Sequence, residues 1–282
     1  PRLPVDRVFT VAGFGTVVTG TLVDGQLKVG EEIQILPGGA RGRIRGLQTH
    51  KRKEETAYPG SRTAVNISGV EVDLIQRGNV VVKPDQYRLT WRLDVQFRLL
   101  PDASAPLCHN QEVKLFLGTS EQVARVRLLG TDELAPGQEG WLQLELQDPV
   151  VALRGDRYIL RRPSPGETLG GGLVVDDHPE RRYKRFSNEV ILRLESLLHG
   201  SPAEILFQAS LLSGAASARE VFRRARLEPE TAQAALEELL ALGQLIAVEA
   251  AGEINAHSEA LLLALPQWLA NTQQALKEVD QY

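Results

Sequence analysis

The chain has 282 residues, more than a single hydrophobic core usually serves, so more than one domain is expected. The net charge of −4 is spread unevenly: residues 1–88 hold 13 Lys and Arg against 9 Asp and Glu, so a polyanion should meet this part first. A single cysteine, Cys108, excludes an internal disulfide and a cysteine-based zinc ribbon and indicates a reducing, cytoplasmic compartment.

The hydropathy of the chain and its lack of methionine limit the class of protein further. No apolar run reaches the ~18 residues of a membrane span, and the first residues lack the pattern of a signal peptide. We therefore expect no membrane partner. Methionine is missing even at position 1, which predicts a fragment of a longer protein.

Residues 6–35 carry short β-branched runs broken by glycines, a pattern typical of strands joined by tight turns. Asp24-Gly25 predicts a hairpin turn, because glycine tolerates the positive φ of primed turns. Gly13-Phe14-Gly15 lacks the third glycine of a dinucleotide-binding loop and precedes a strand instead of a helix. It is interpreted as a turn.

Basic residues follow in two groups. Arg41, Arg43 and Arg45 alternate, so on a strand they share one face while Ile44 points the other way. Lys51-Arg52-Lys53 lies in a polar loop just beyond them. Two interpretations are open: a basic strip against a nucleic-acid backbone, or a solvated strand face.

A second β region begins near Tyr87. In LTWRLDVQFRLL, apolar residues at 89, 91, 93, 95 and 97 alternate with polar ones, which predicts a strand with one buried face. Pro136-Gly137 predicts a turn. Cys108-His109 lacks partners at zinc spacing, so we assign it a structural role and expect no metal site. The sequence shows neither a nucleophile–base set nor a pair of carboxylates that would indicate a stand-alone enzyme.

After Gly172 a charged linker leads into helix signals. Ser187 precedes an apolar helical face that ends at Gly200, and Ser201-Pro202-Ala203-Glu204 forms a capping box. Residues 217–220 form another box, and an amphipathic helix runs from Pro229 to Leu242. LIAVEAAGEINA then predicts a β-hairpin wing, and more helix is expected from Ser258 onward.

The order of these segments carries a family resemblance. DRVFTVAGFGTVVTGTLVDGQLKVGEEI, RIRGLQTH, PGSRTAVNISGV and RGNVVV resemble the barrel that follows the GTPase domain in translational elongation factors, most closely the selenocysteine-specific elongation factor, SelB. ARVRLLGTDELAPGQEGWLQLELQDPV, GDRYILRRPSP and ETLGGGLVVD resemble that factor's next barrel.

The resemblance implies a multidomain fold, mainly β and then α. Two translation-factor-type β-barrels are expected at 1–88 and 89–182, followed by a winged-helix domain at 183–256 and the start of a second one at 257–282. A fragment of a general translational GTPase is a competing interpretation, but elongation factor Tu ends at its second barrel. A winged-helix DNA-binding regulator is another, although the candidate recognition helix carries Glu230, Glu237 and Glu238 and no Lys or Arg.

The resemblance also implies a function. SelB delivers selenocysteinyl-tRNA to the ribosome at recoded UGA codons. This chain would hold the barrels that contact tRNA and the near part of the arm whose far modules bind the selenoprotein mRNA hairpin. No G-x-x-x-x-G-K-[ST] loop is present, so the chain alone should not be a GTPase; GTP and Mg²⁺ are expected in a GTPase domain preceding Pro1. A monomer is expected.

The candidate site follows from the resemblance as well. Asp6, Arg7 and Arg62 align with the family's proposed selenocysteine pocket, and His50 is the nearest candidate for a pocket histidine. A fixed arginine would distinguish a selenol, which is largely ionised near neutral pH, from the neutral serine hydroxyl. The alternative is a structural Asp–Arg pair at the barrel mouth.

Overall fold

The computed structural model describes residues 1–11, 13, 15–213, 216–225, 227–248 and 260–264. Contacts divide the chain into one unit at residues 1–188 and a second from residue 189 onward. The first unit holds two β-barrels and the second holds helices with a small sheet. The expected fold class, two translation-factor barrels followed by a helical region, is confirmed.

The first barrel is built from short strands joined by glycine-containing turns. In chain order they are β1 (Arg2–Val11), β2 (Gly15–Thr21), β3 (Leu27–Lys28), β4 (Glu32–Leu36), β5 (Arg41–Thr49), β6 (Arg52–Glu54), β7 (Thr56–Ala57), β8 (Arg62–Ser68) and β9 (Val80–Val82). The sheet order β4-β9-β1-β2-β8-β5 closes because β5 also pairs with β4, and β6 extends β5 as a hairpin. Closure leaves these six strands without an open edge.

Turn predictions in this barrel met different outcomes. Gly13 and Gly15 have positive φ in the β1–β2 hairpin, where Val11 lies opposite Gly15, so the turn interpretation is confirmed. Gly25 also has a positive φ of 66°, but Asp24-Gly25 does not close a hairpin. It leads from β2 into β3, which pairs with β7, so the hairpin prediction is wrong. A two-residue turn signal cannot tell which strand the next one will join.

The second barrel is a closed six-stranded sheet of order β10-β15-β13-β12-β16-β17. Its elements are β10 (Thr90–Leu99), β11 (Leu107–Cys108), β12 (Glu112–Leu117), β13 (Ser120–Leu129), β14 (Glu133–Leu134), β15 (Glu139–Val150), β16 (Arg157–Arg162) and β17 (Glu167–Asp176). Strands β11 and β14 form a separate two-stranded pair. Leu93, Val95 and Phe97 face the core, as the alternation predicted, and the Pro136-Gly137 turn is confirmed.

The alternation in β10 fails before Leu93. Trp91 was expected in the core but is 57% exposed, whereas Thr90 is buried. A register shift explains the exchange. Thr90 pairs with Val150 and Arg92 with Glu145, so the ladder skips one residue on β10 but four on β15, and the regular alternation of faces is interrupted there. Asp94, expected on the wet face, is fully buried beneath the segment that follows β17.

An apolar cluster joins the two barrels within the first unit. Leu36, Val80 and Val82 of the first barrel pack with Val151, which follows β15. Buried apolar area of this kind resists separation of the two barrels. Because Val82 pairs with Arg2, the start of β1 lies beside this cluster.

The second unit starts with helices whose ends match the predicted caps. They are α1 (Asn188–His199), α2 (Pro202–Ser213), α3 (Ala218–Ala225) and α4 (Pro229–Ala241), with β18 (Ala216–Ser217) before α3. Glu204 Oε2 accepts the Ser201 amide at 2.7 Å, and Ser201 Oγ accepts the Glu204 amide at 3.2 Å. This reciprocal pair satisfies two otherwise unpaired amides at the start of α2.

A three-stranded sheet completes the second unit. Strands β19 (Leu245–Val248) and β20 (Leu261–Ala264) pair antiparallel, and β20 also pairs with β18. Helix was predicted from Ser258 onward, and at residues 261–264 this is wrong. Strand β20 lies beyond residue 256, the end expected for the first winged-helix domain. Its alternate residues Leu262 and Ala264 nevertheless pack in the same core as helices α2, α3 and α4. The rest of 257–282, apart from Ala260, lies outside the described residues.

Among the helices in the described part of the chain, none has both the length and the apolar character needed to cross a bilayer.

Candidate functional site

A β-bulge presents the predicted acidic residue. Along β1, Val5 lies opposite Gly20 and Arg7 opposite Thr19, so Asp6 is an extra residue between two consecutive positions of β2. Bulges of this kind re-aim side chains and recur beside functional sites. The bulge brings the Asp6 carboxylate to the Thr19 side chain.

Asp6 and Arg62 form the ion pair that the sequence suggested. Arg62 Nη1 lies 2.6 Å from Asp6 Oδ2, and Nη2 donates to Asp6 Oδ1 at 3.1 Å. Thr19 Oγ1 donates to the same Asp6 Oδ1 at 2.6 Å. The carboxylate is 22% exposed and the guanidinium 56%, so Asp6 is the fixed centre of the group and Arg62 keeps donors facing water.

Arg7 lies on the same face of the sheet. Directly paired residues of an antiparallel sheet share a face, and Arg7 pairs with Thr19 while Arg62 pairs with Thr21, two residues further along β2. The Arg7 side chain is exposed and makes no ion pair with the residues the structure describes. The structure therefore brings Asp6, Arg7 and Arg62 together and leaves Arg7 as the unpaired cation.

Two residues that sequence reasoning missed share this face. Phe9 stands two positions from Arg7 and is 41% exposed, which is unusual for phenylalanine in a barrel strand. Asn66 on β8 is joined to Phe9 through Val17, the register partner of both. Its Oδ1 is buried without a hydrogen-bond partner among the described residues. An aromatic at an outward strand position was the available signal for Phe9; nothing in the sequence singled out Asn66.

The predicted arginine strip divides into paired and unpaired members. Arg41 contacts both oxygens of Asp85, at 2.7 and 2.8 Å, and Arg43 contacts Glu32 at 3.2 Å. Arg45 is exposed and lies in another β-bulge, this one in β5 between Ile44 and Gly46. All three side chains face water, so their exposure fits both open interpretations of the strip.

The loop beyond the strip is a tight hairpin with an unusual backbone. Thr49 pairs with Arg52, so His50 and Lys51 form a two-residue turn with φ of 51° and 64°. This is the pattern of a type I′ turn, which normally uses asparagine or glycine at its central positions because other side chains are strained at positive φ. Residues 50–53, which we call the basic hairpin, are all exposed. Within the described residues, nothing connects His50 to the Asp6–Arg62 pair.

A buried arginine anchors the start of β1 to the second barrel. Arg2 is 7% exposed; its Nε lies 3.0 Å from Asp24 Oδ2 and its Nη2 donates to Asp156 Oδ1 at 2.7 Å. Tyr87 donates its hydroxyl to Asp24 at 3.2 Å. Burial, followed by the charge of Asp24, raises the pKa of Tyr87 to about 12. This cluster is structural.

The helical unit offers little positive charge to a nucleic acid. Helix α4 exposes Glu230, Glu237 and Glu238 and contains no Lys or Arg. On α3, Arg223 is exposed, whereas Arg224 donates to Ser213 Oγ at 2.8 Å. Arg226 lies outside the described residues. An acidic α4 does not suit contact with a phosphate backbone.

Cys108 is exposed with a free thiol, and neighbouring His109 is half-buried. Throughout the described ranges, no group of three His, Cys, Asp or Glu side chains is arranged to hold a metal ion.

Comparison with known proteins identifies relatives of both barrels. Residues 15–82 match the family described as Elongation factor Tu domain 2, so the first barrel is similar to that domain. Residues 94–181 match the family described as Selenocysteine-specific elongation factor, beta-barrel domain. The two barrels thus match domains of translation elongation factors, the second one the selenocysteine-specific barrel, and the resemblance seen in the sequence is confirmed.

Curated relatives bear the same name. The chain is 39% identical over 213 residues to the selenocysteine-specific elongation factor of Desulfomicrobium baculatum, covering 76% of this chain and 33% of that protein. Over 65% of this chain it is 35% identical to the Escherichia coli factor and 30% identical to that of Haemophilus influenzae, covering 28% and 29% of those proteins. The chain thus spans about a third of the length of these relatives.

Proposed function

We propose that this chain is the tRNA-carrying segment of a factor that delivers selenocysteinyl-tRNA to the ribosome at recoded UGA codons. The match of residues 94–181 to the selenocysteine-specific barrel supports this proposal. The observation that carries the site is the Asp6–Arg62 pair beside the unpaired Arg7. In the longer protein, a GTPase domain would bind GTP and Mg²⁺, and further modules would bind the selenoprotein mRNA hairpin. The protein would act in the cytoplasm as a monomer.

The proposed pocket is the face that carries Arg7, Phe9 and Asn66. Asp6 orients Arg62, so Arg7 is the cation left to meet an anionic selenolate, and Arg62 adds its outward donors. The buried Asn66 oxygen would accept a hydrogen bond from a hydroxyl of the terminal nucleotide, and Phe9 would pack against its apolar parts. A partly desolvated charge contact is worth ~1.5–3 kcal/mol, which gives one to two decades of discrimination against serine.

Ester protection tests the proposal. In the GTP-bound parent protein, spontaneous hydrolysis of selenocysteinyl-tRNA and seryl-tRNA is compared with and without protein. We expect selective protection of the selenocysteinyl ester and a loss of ten-fold or more of that selectivity, at roughly one decade per contact, in Arg7→Ala and Arg62→Ala. Arg88→Ala is the matched control, because Arg88 is an exposed arginine outside the site.

Two outcomes would contradict the proposal in different ways. Equal protection of both esters by the natural sequence would leave a general tRNA carrier without an anion pocket. Selective protection that survives both Arg7→Ala and Arg62→Ala would keep the function and reject the pocket. A gel-shift with duplex DNA tests the regulator alternative, and the acidic α4 predicts no specific complex.

The basic hairpin is proposed as a tRNA-backbone contact together with Arg41, Arg43 and Arg45. His50→Asn with Lys51→Gly places the residues that primed turns prefer at the two positive-φ positions, so we expect it to stabilise the first barrel by about 1 kcal/mol. It removes one cation, so the slope of log affinity for tRNA against log salt should fall by about 0.9. His50→Asn alone keeps Lys51 and should leave that slope unchanged. An unchanged slope in the double variant would reject the contact.

A further inference from the structure

A short basic segment is fixed across the outside of the second barrel. Residues 181–186 read Arg-Arg-Tyr-Lys-Arg-Phe, with four cations and no acidic residue. We call this segment the strap. It follows β17 and makes its backbone contacts with β13, β15 and the loop after β13.

Buried polar groups hold the strap in place. Gln143, fully buried on β15, donates Nε2 to the Arg181 carbonyl at 3.1 Å and accepts the Tyr183 amide at 3.2 Å. Asp94 Oδ1 receives the same Nε2 at 2.8 Å, which fixes the orientation of the amide. Arg127 Nε donates to the Tyr183 carbonyl at 2.7 Å. The Gly130 amide also donates to the strap, to the carbonyl of its fifth residue, at 2.6 Å.

This anchoring leaves the cations of the strap outside. Arg181 and Lys184 are exposed and have no ion pair with any described residue. Arg182 lies 2.8 Å from Glu145 but is still 53% exposed. Alternate strap residues turn inward, where Tyr183 is buried and Arg185 binds the carbonyl of Thr131 at 2.8 Å. A preorganised backbone carrying exposed cations loses little entropy on binding a polyanion.

Several cations lie close together around the strap, where Arg182 pairs with Glu145 and Arg185 with Asp132. The pKa of His109 is lowered by burial first and then by Arg185, Arg127 and Arg182. The pKa of Arg127 is lowered by burial and by Arg182 and Arg185, with only Glu145 acting in the opposite direction. These groups repel one another, so an anion bound here relieves a repulsion that the fold already contains.

An aromatic platform ends the strap. Phe186 is 60% exposed, and the Arg185 guanidinium lies 4.8 Å from its ring centroid. The guanidinium occupies one side of the ring and strengthens it as a stacking surface. Unpaired bases stack on such rings, whereas the bases of a duplex are already stacked on each other.

We propose that the strap is a binding site for single-stranded RNA. Arg181, Arg182 and Lys184 would contact phosphates, and one unpaired base would stack on Phe186. An acidic protein segment would satisfy the cations but would leave the ring unused. The proposal goes beyond the function above, since the strap lies on the second barrel and its RNA contact neither needs nor tests the aminoacyl pocket.

Fluorescence anisotropy with the 282-residue chain tests it, using a labelled 12-nucleotide RNA as a single strand and annealed to its complement. Phe186→Ala should weaken single-strand binding about 5-fold or more and leave duplex binding unchanged. Arg181→Gln with Lys184→Gln should reduce the salt slope for the single strand by about 1.4, at roughly 0.7 per phosphate contact. The matched control is Arg161→Gln, an exposed arginine on β16, which pairs with neither β13 nor β15.

RNA bound elsewhere on the chain is common to all variants and cancels in these comparisons. If Phe186→Ala binds the single strand as tightly as the natural sequence, stacking is wrong. If the double variant behaves like Arg161→Gln, the strap does not contact phosphates. A poly-glutamate peptide that competes as well as RNA of equal charge would assign the strap to acidic protein segments. Each of these results overturns the proposal, and a thermal melt confirms that the variants are folded.

Discussion

Replacing Arg2 by methionine is the most direct test of how the barrels are joined. The arginine lies between Asp24 of the first barrel and Asp156 of the second, with its guanidinium within 3.0 Å of both carboxylates. Asp156 also accepts the Leu153 amide at 2.9 Å, so it cannot turn away freely when the arginine is lost. Arg2→Met keeps the apolar volume of the side chain and removes only the charge and its hydrogen bonds.

The expected cost comes from the two carboxylates left behind. Removing one partner of a buried ion pair costs about 3–5 kcal/mol, because the remaining charge is uncompensated. Asp24 is 39% exposed and can rehydrate, while Asp156 is only 17% exposed. We therefore expect the lower end, about 3 kcal/mol, and a fall in Tm of roughly 6–12 °C for a unit of 188 residues.

Urea unfolding followed by tryptophan fluorescence measures this effect, since Trp91 and Trp141 both lie in the second barrel. Arg88→Met is the control for loss of charge alone, because Arg88 is an exposed arginine in the segment that connects β9 to β10. A double-mutant cycle with Asp156→Asn should give a coupling of at least about 1 kcal/mol for such a contact pair.

The reasoning fails if Arg2→Met shifts the urea midpoint no more than Arg88→Met. It also fails if the cycle gives additive effects within ~0.5 kcal/mol, because independent sites behave in that way. In either case the apolar cluster at the junction would hold the barrels together without the ion pair.

Three further predictions concern single groups. The pKa of Tyr87 is about 12, against ~10 in the unfolded chain, so its contribution to stability is complete below pH 10 and is lost as the pH rises to 12. The free energy of unfolding of the natural sequence should therefore exceed that of Tyr87→Phe by less and less across this pH range. A difference in urea unfolding that stays constant would contradict this. Arg182→Gln should raise the pKa of His109, which burial and nearby arginines lower; an unchanged NMR titration of the ring protons would show that Arg182 does not act on it. Gly172→Ala would place a Cβ 1.9 Å from a carbonyl oxygen of β10 and should destabilise the second barrel by at least about 2 kcal/mol, whereas Gly166→Ala, whose nearest atom is 3.9 Å away, should be tolerated in thermal unfolding.

The sequence predicted strand positions well wherever the side-chain period of two was unbroken. It failed where extra residues on one strand interrupt the ladder and, with it, the alternation of buried and exposed side chains. The shift between Thr90 and Arg92 put Trp91 outside, and the bulge at Asp6 set the geometry of the candidate site. Hydrophobic alternation shows what a strand buries, but it does not show where the ladder skips a residue.

Contacts between distant parts of the chain were also beyond sequence reasoning. Arg2 meets Asp156 across 154 positions, and neither residue stands in a recognisable motif. The sequence predicts only a charged linker after Gly172, because the composition there resembles that of ordinary linkers. The hydrogen bonds of the buried Gln143, of Arg127 and of the Gly130 amide show that residues 181–186 are fixed to the barrel. The strand β20 was missed for a related reason: four consecutive apolar residues are compatible with a helix or a buried strand, and pairing with β19 decides between them.

The arginines of the first barrel differ in whether an acidic side chain pairs with them. Arg2 is buried with two carboxylates, Arg43 pairs with Glu32 across the sheet, and Arg41 pairs with Asp85 in the turn after β9, so part of their charge is neutralised within the fold. Arg7 and Arg45 have no such neighbour among the described residues, and each lies at or next to a bulge that turns the chain outward. Irregular backbone costs stability, and it persists where the surrounding structure enforces it, often beside functional sites. Arg7 and Arg45, which are unpaired among the described residues and lie at irregular positions, are therefore better candidates for contact with an anionic ligand than Arg41 and Arg43.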